Sequence, residues 1–333
     1  MAVVGCGAFG RNHARVYRQL QEEHAGVELV AVVDKDPQKA QTVAREFGTN
    51  FFSSPEELKG KIDAASVAVP TVDHLAVARQ LMSHGADVLI EKPVAASLPE
   101  ADELISTAKR TKRVAQVGHL ERFNPAVLAT APLVTQPMFF EVHRLSVFTP
   151  RSLDVDVVMD LMIHDLDVVL SLMKSPVREI RAVGLPVISN KVDIANVRIE
   201  FETGCVANFT ASRVSTEKVR KLRFFQPHQY ISVDYARQDV ISIRVDQRAA
   251  AALLSGQAPE VALGPVPGIA LDKPKVEPRE PLRAEIEAFL LAVRTRANPV
   301  VSLDDGRKAL KLALEINAAI QNHHQRAGLG RMA

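Results

Sequence analysis

The chain has 333 residues, 47% of them apolar, which is enough for two domains that each bury a core. With 41 basic and 39 acidic residues the formal charge is only +2, without the basic excess of a nucleic-acid binder, and no apolar run reaches membrane-spanning length. Cys6 and Cys205 are too few for a disulfide framework or a cysteine zinc site, and the first residues enter a strand without room for a signal peptide, so a cytoplasmic protein with a small-molecule ligand is expected.

Met1 to Val4, Val27 to Val33, Ala64 to Val69, Val88 to Ile90 and Val114 to Val117 are short apolar runs separated by helical segments, the pattern of a parallel sheet covered on both faces. Ser54-Pro55-Glu56-Glu57 and Ser97-Leu98-Pro99-Glu100 supply helix starts with capping-box spacing. After Gly118 the rhythm becomes alternation, as in Val197, Ile199 and Phe201 before the Thr203-Gly204 turn. Phe139 to Leu145, Glu179 to Val183, Val206 to Ala211, Leu222 to Phe225, Tyr230 to Val233 and Val240 to Val245 continue that pattern and predict an open antiparallel sheet. A helix over about Val155 to Met173 interrupts the strands, and Ser255 to Pro278, rich in Pro and Gly, reads as an irregular excursion. From Pro281 two helices close the chain, the second burying Leu312, Ile316 and Ile320.

Gly5-Cys6-Gly7-Ala8-Phe9-Gly10 follows the first strand and opens a helix, the setting in which GxGxxG binds a dinucleotide pyrophosphate at a helix N-terminus. Asp34 ends the second strand, where a carboxylate accepts hydrogen bonds from the adenosine ribose and repels a 2′-phosphate. NAD is therefore expected over NADP, with Lys35 as the residue that keeps NADP open. The expected fold is a doubly wound Rossmann domain over residues 1–118, followed over 119–333 by an α+β domain with a large, mainly antiparallel sheet for substrate binding and oligomerisation.

Ligands of such sheets bind beyond the carboxyl ends of the strands, which directs attention to Pro70, Thr71 and His74 after the third run and to Glu91-Lys92-Pro93 after the fourth. A lysine at that edge can bind substrate hydroxyls or move a proton. Asp156, Asp160 and His164 recur at helical spacing, with Asp165 and Asp167 beside them. They fit a solvated acidic face, a metal site, or a catalytic pair in which Asp160 orients the His164 imidazole as a base; the last is preferred and no metal is expected, because a nicotinamide is itself the electron acceptor. His119, Arg122 and Asn124, in Gly118 to Pro125, are candidates for a diphosphate and sugar hydroxyls, against a hinge with an interface ion pair.

With these residues in place the chain resembles the Gfo/Idh/MocA oxidoreductases along nearly its whole length: Gly5 to Gly10, Asp34, Pro70-Thr71 with His74, Glu91-Lys92-Pro93, Arg122-Phe123-Asn124-Pro125, and Asp160 with His164. The resemblance implies that Lys92, Asp160 and His164 are catalytic, that Gly5, Gly7, Ala8, Phe9, Gly10, Asp34, Pro70, Thr71, His74, Glu91 and Lys92 meet the cofactor, and that the Lys92-Pro93 bond is cis. Many members carry glycines just before the DxxxH aspartate, where this chain has Asp154-Val155-Asp156-Val157-Val158-Met159. Within the family the chain is most similar to UDP-N-acetylglucosamine 3-dehydrogenases, which implies a nucleotide-sugar substrate bound by Lys92, His119, Arg122, Asn124 and His164. It also implies a 3-keto product passed to a pyridoxal-phosphate aminotransferase in diamino-sugar or lipid A synthesis. Inositol or free-sugar oxidation is the alternative within the family, and a non-catalytic dinucleotide sensor the alternative outside it. The apolar alternation of the open sheet predicts a homodimer or homotetramer.

Overall fold

The computed structural model describes residues 1–149, 155–246 and 269–328, together with Ala251 and Ser255. The described chain forms two compact units, one of residues 1–123 and 280–311, the other of 124–279 and 312–333. The segment 280–311 belongs with the first unit, which replaces the expected division at Gly118 with a discontinuous one.

The first unit is a six-stranded parallel sheet of β1 (Ala2–Val4), β2 (Ala31–Val33), β3 (Asn50–Phe52), β4 (Ala64–Val67), β5 (Asp87–Glu91) and β6 (Ala115–Gly118), in the order β3-β2-β1-β4-β5-β6. This is the doubly wound order, whose reversal point lies between β1 and β4. Helix α1 (Ala8–Glu22) buries Gly10, His13, Ala14, Tyr17 and Leu20, an inward stripe at the helical period. Helix α2 (Pro37–Phe47) starts where Asp36 accepts from the Gln38 and Lys39 amides and stops at Gly48 in the left-handed region. Helices α3 (His74–Ser83) and α4 (Leu98–Thr111) follow, α4 capped by Ser97. The Ser54 capping box is present, but it closes only a single 3-10 turn, Pro55–Leu58. The exposed edge strand β3 escaped the sequence reading because a three-residue strand carries no alternation to detect. Along the β6 edge, Val117 N–H donates to Val301 O at 3.0 Å.

The second unit opens with α5 (Pro125–Thr130) and an eight-stranded sheet ordered β14-β13-β12-β11-β7-β10-β9-β8. Its strands are β7 (Phe139–Val147), β8 (Val177–Leu185), β9 (Ile194–Phe201), β10 (Val206–Ser215), β11 (Val219–Gln226), β12 (Gln229–Asp234), β13 (Asp239–Val245) and β14 (Ile269–Asp272). Neighbours are antiparallel except the central β7-β10 pair, which runs parallel. Inward Phe140, Val142, Ala207, Phe209, Leu222 and Phe224 are fully buried, matching the period of two. Part of the stretch taken as irregular is therefore strand β14; residues 256–268 lie outside the described residues, as does Asp154. The expected single helix from Val155 is instead a π-helical turn, Val158–Met162, leading into α6 (Ile163–Leu172). Helix α7 (Pro281–Thr295) packs on α1, and α8 (Leu303–Arg326) carries the buried Leu312, Ile316 and Ile320 as expected.

Candidate active site

The glycines between β1 and α1 divide the work. Gly5 has φ +100°, and a Cβ there would stand 2.4 Å from Ala68 O; a Cβ at Gly10 would stand 1.7 Å from Gly5 O. Both positions demand glycine for the turn and for helix-on-strand packing. At Gly7, by contrast, a Cβ would meet nothing within 4 Å, and no side chain caps the start of α1. Open space in front of uncapped amides is what a pyrophosphate needs. Asp34 Oδ2 accepts from Cys6 N–H at 2.7 Å and Oδ1 from Asp36 N–H at 2.9 Å, so the carboxylate is fixed with lone pairs left for ribose hydroxyls. A cavity of about 430 Å³ runs along Gly5, Gly7, Ala8, Phe9, Asp34 and Pro70. Lys35 lies beside the same cavity, its exposed ammonium pairing with Asp73 at 2.9 Å. Ser53, Pro55, Val69 and Val77 also line the cavity and carried no sequence signal beyond lying near strand ends. Cys6 is buried on Val33 O, and burial followed by the Asp34 charge pushes its thiol up to about 12, so it stays protonated.

At the ends of β4 and β5 the expected residues separate into different roles. Thr71 begins a 3-10 turn, Thr71–Asp73. His74 is buried with Nδ1 at 3.0 Å from Pro93 O and Nε2 at 3.0 Å from Val69 O. It ties the loop after β4 to the loop after β5. Lys92-Pro93 is cis, and Lys92 is half-buried. Glu91 Oε1 lies 2.8 Å from His13 Nε2, and Glu91 Oε2 accepts from Lys92 N–H. Burial opposes ionisation of Glu91, but the His13 hydrogen bond and the charges of His13 and Lys92 hold its carboxyl below the usual carboxylate range. His119 is buried; desolvation first, then the Lys92 and Arg122 charges, pushes it down to about 3. It is a neutral imidazole near physiological pH, able to hydrogen-bond but not to take up a proton there.

In the second unit Asn124 is buried, with Oδ1 accepting from Ala126 N–H at 3.1 Å and Nδ2 donating to Tyr235 O at 3.0 Å. It caps α5. Asp156 likewise accepts from the Val158 and Met159 amides and from Asn317 Nδ2, so it starts the π turn rather than joining Asp160 and His164. Asp165 forms a buried pair with Arg144, at 2.6 and 2.8 Å, and Asp167 is buried as well; the solvated-face reading fails for both. Asp160 sits within the π turn, 4.0 Å from Arg213 Nη2, and half-buried His164 follows in the first turn of α6 with Nδ1 shielded from solvent. π turns inside helices often mark functional positions.

Residues 1–119 match the oxidoreductase family with an NAD-binding Rossmann fold, and residues 136–228 match the GFO/IDH/MocA C-terminal domain. The chain belongs to the Gfo/Idh/MocA oxidoreductase family. A relative in Acidithiobacillus ferrooxidans, a UDP-N-acetylglucosamine 3-dehydrogenase, is 36% identical over 326 residues, covering 97% of this chain and 98% of that protein. A crystal structure of that enzyme superposes with TM-score 0.86 over 96% of this chain and 97% of the other. The NAD(+)-dependent scyllo-inositol 2-dehydrogenase of Bacillus subtilis is 28% identical over 233 residues, covering 64% of this chain and 67% of that protein. An oxidoreductase domain protein from Kribbella flavida shares the fold, with TM-score 0.82 at 14% identity.

Membership in the Gfo/Idh/MocA family makes the protein an NAD-binding oxidoreductase, and its glycine cradle, Asp34 and the adjoining cavity fit NAD. Among the described residues no helix is long and apolar enough to cross a membrane. The residues that the sequence reading missed are mostly buried polar ones: His13, Tyr17, Ser66 and Glu285. Only their place on inward helix and strand positions could have flagged them.

Proposed function

We propose that the protein oxidises the 3-hydroxyl of a UDP-linked amino sugar, UDP-N-acetylglucosamine, to the 3-keto sugar with NAD. What carries this reading is the likeness to the A. ferrooxidans 3-dehydrogenase over 97% of the chain, with Lys92, Asp160 and His164 all present. Bound NAD would take the hydride from the sugar carbon. His164 accepts the hydroxyl proton, Asp160 orients its ring, and the Lys92 ammonium stabilises the oxygen as negative charge develops on it. The planar Arg122 guanidinium suits the diphosphate. His119, kept neutral by its surroundings, contributes hydrogen bonding only.

A sugar ketone is the substrate a pyridoxal-phosphate aminotransferase converts to an amine, so such an enzyme is the expected consumer of the product, in diamino-sugar or lipid A synthesis. Self-association is also part of the reading. Val206, Phe139, Phe225, Tyr230, Ile243 and Leu271 stand in register across six neighbouring strands on the face opposite the buried core. Phe225 is 38% and Leu271 58% exposed. A second copy covering that apolar row would remove it from water.

NADH formation followed by absorbance, with UDP-N-acetylglucosamine in the presence and absence of an aminotransferase, tests the substrate. Turnover is expected and should rise when the ketone is removed. Silence with the UDP-sugar while scyllo-inositol or glucose reacts would overturn the assignment in favour of a polyol or free-sugar dehydrogenase.

A further inference from the structure

Behind the Glu91-Lys92-Pro93 turn runs a chain of buried polar groups. Tyr17 Oη lies 2.8 Å from Ser66 Oγ, Ser66 Oγ 2.9 Å from His13 Nδ1, and His13 Nε2 2.8 Å from Glu91 Oε1. Tyr17, Ser66 and His13 are each 0% exposed. Every link can hold a proton, with His13 Nε2–H given to the Glu91 carboxylate and the Ser66 hydroxyl joining His13 Nδ1 to the Tyr17 phenol. Burial outweighs the Ser66 bond and holds the Tyr17 phenol well above its ordinary value, so it stays a donor.

The carboxylate is boxed on its other side too. A Cβ at Gly118 would stand 3.3 Å from Glu91 Cδ and Oε1, so the missing side chain in β6 is the space the carboxylate occupies. Fully buried Glu285 of α7 places a carboxylate oxygen within 4.8 Å of the His13 and Glu91 ligand atoms. For stability alone such a set is a poor choice, because apolar packing of the same volume does as well or better. What the chain does achieve is a fixed orientation at the residue preceding Lys92.

We propose that His13 is a positioning residue for hydride transfer, which through Glu91 holds the Lys92 ammonium in its working place. The inference rests on the role given to Lys92 above. Orienting partners of this kind are worth about 10–100-fold in activity where they have been removed from metal sites, and a similar range applies here.

The test uses the full-length protein with His13→Leu, His13→Gln and Ser66→Ala. His13→Leu should lower kcat by about 10–100-fold while KM for the sugar and the Kd of NADH, read by fluorescence titration, stay within about threefold. His13→Gln, whose amide N–H reaches the Nε2 position, should recover most of the loss, and Ser66→Ala should show a smaller loss. A second readout needs no sugar: the acetylation rate of Lys92 relative to exposed Lys59, followed by mass spectrometry, should change at least threefold in His13→Leu and return in His13→Gln. Unchanged labelling in a folded His13→Leu protein overturns the proposal, as does a kcat loss that the glutamine does not rescue or that tracks NADH affinity. Wild-type silence toward every sugar would instead overturn the proposed function, leaving the labelling result to decide the role of His13.

Discussion

The Asp34 carboxylate shapes the glycine loop, because both of its oxygens hold backbone amides. Asp34→Ala should raise the Kd of NAD about 10–100-fold, the loss of a charge-assisted contact worth about 1.5–3 kcal/mol, and barely change that of NADP. Isothermal titration with both dinucleotides measures the narrowing; an unchanged preference would place discrimination elsewhere. Asp34 and the three glycines were legible in advance because each is a distinctive residue type placed just after a strand, β1 for the glycines and β2 for the aspartate. Asn124 and His74 were not: an exposed asparagine and a capping one have the same sequence, and only the carbonyl of Tyr235 or of Pro93, distant along the chain, distinguishes them. The inward position of His13 was visible, but not its partner 78 residues away.

Among the elements, β7 and α6 are joined by the Arg144–Asp165 pair, in which both side chains are almost fully buried. Asp165→Ala takes the buried carboxylate partner from the Arg144 guanidinium and should cost about 3–5 kcal/mol in urea unfolding. Combining it with Arg144→Met should recover much of that loss. The β8-β9 connection has its own anchor: Asp193 accepts from the Val187, Ile188 and Ser189 amides and from the Ser189 hydroxyl. Burial opposes its ionisation, yet these donors hold its carboxyl below the ordinary value of 3.8. The stabilisation is therefore complete above that value and lost as pH falls through the lower folded-state one. Thermal melts should show Asp193→Asn well below wild type at neutral pH, with the gap closing only in acid below about pH 4. Strand alternation foretold this sheet, whereas the π turn at Val158–Met162 was hidden, since a single widened turn barely alters the apolar spacing that announces a helix.

At the scale of the molecule, the first unit is completed by chain that arrives last. Ile286, Phe289 and Leu290 of α7 share a core with Val3, Val16, Tyr17 and Leu20. Phe289→Ala should cost about 3–5 kcal/mol and weaken NAD binding only in proportion to unfolded protein, which calorimetry with and without NAD separates. On the second unit's open face, Phe225→Lys should lower the mass seen by light scattering, and an unchanged mass would remove that face from the assembly. No periodicity could reveal that α7 goes back to the first unit, because an amphipathic stripe states that a face is buried without stating against what.

The chain passes from one unit to the other at three points, near residues 123, 279 and 311, the last inside α8. An exchange of second units between relatives therefore cannot be made with one splice. It needs a graft with three seams, and the third must keep a helical repeat in phase across Lys311 and Leu312. Chimeras cut only at the first seam would inherit a foreign α7 beneath a native sheet, and mismatch there would show as lost cofactor affinity before any change in sugar preference could be read.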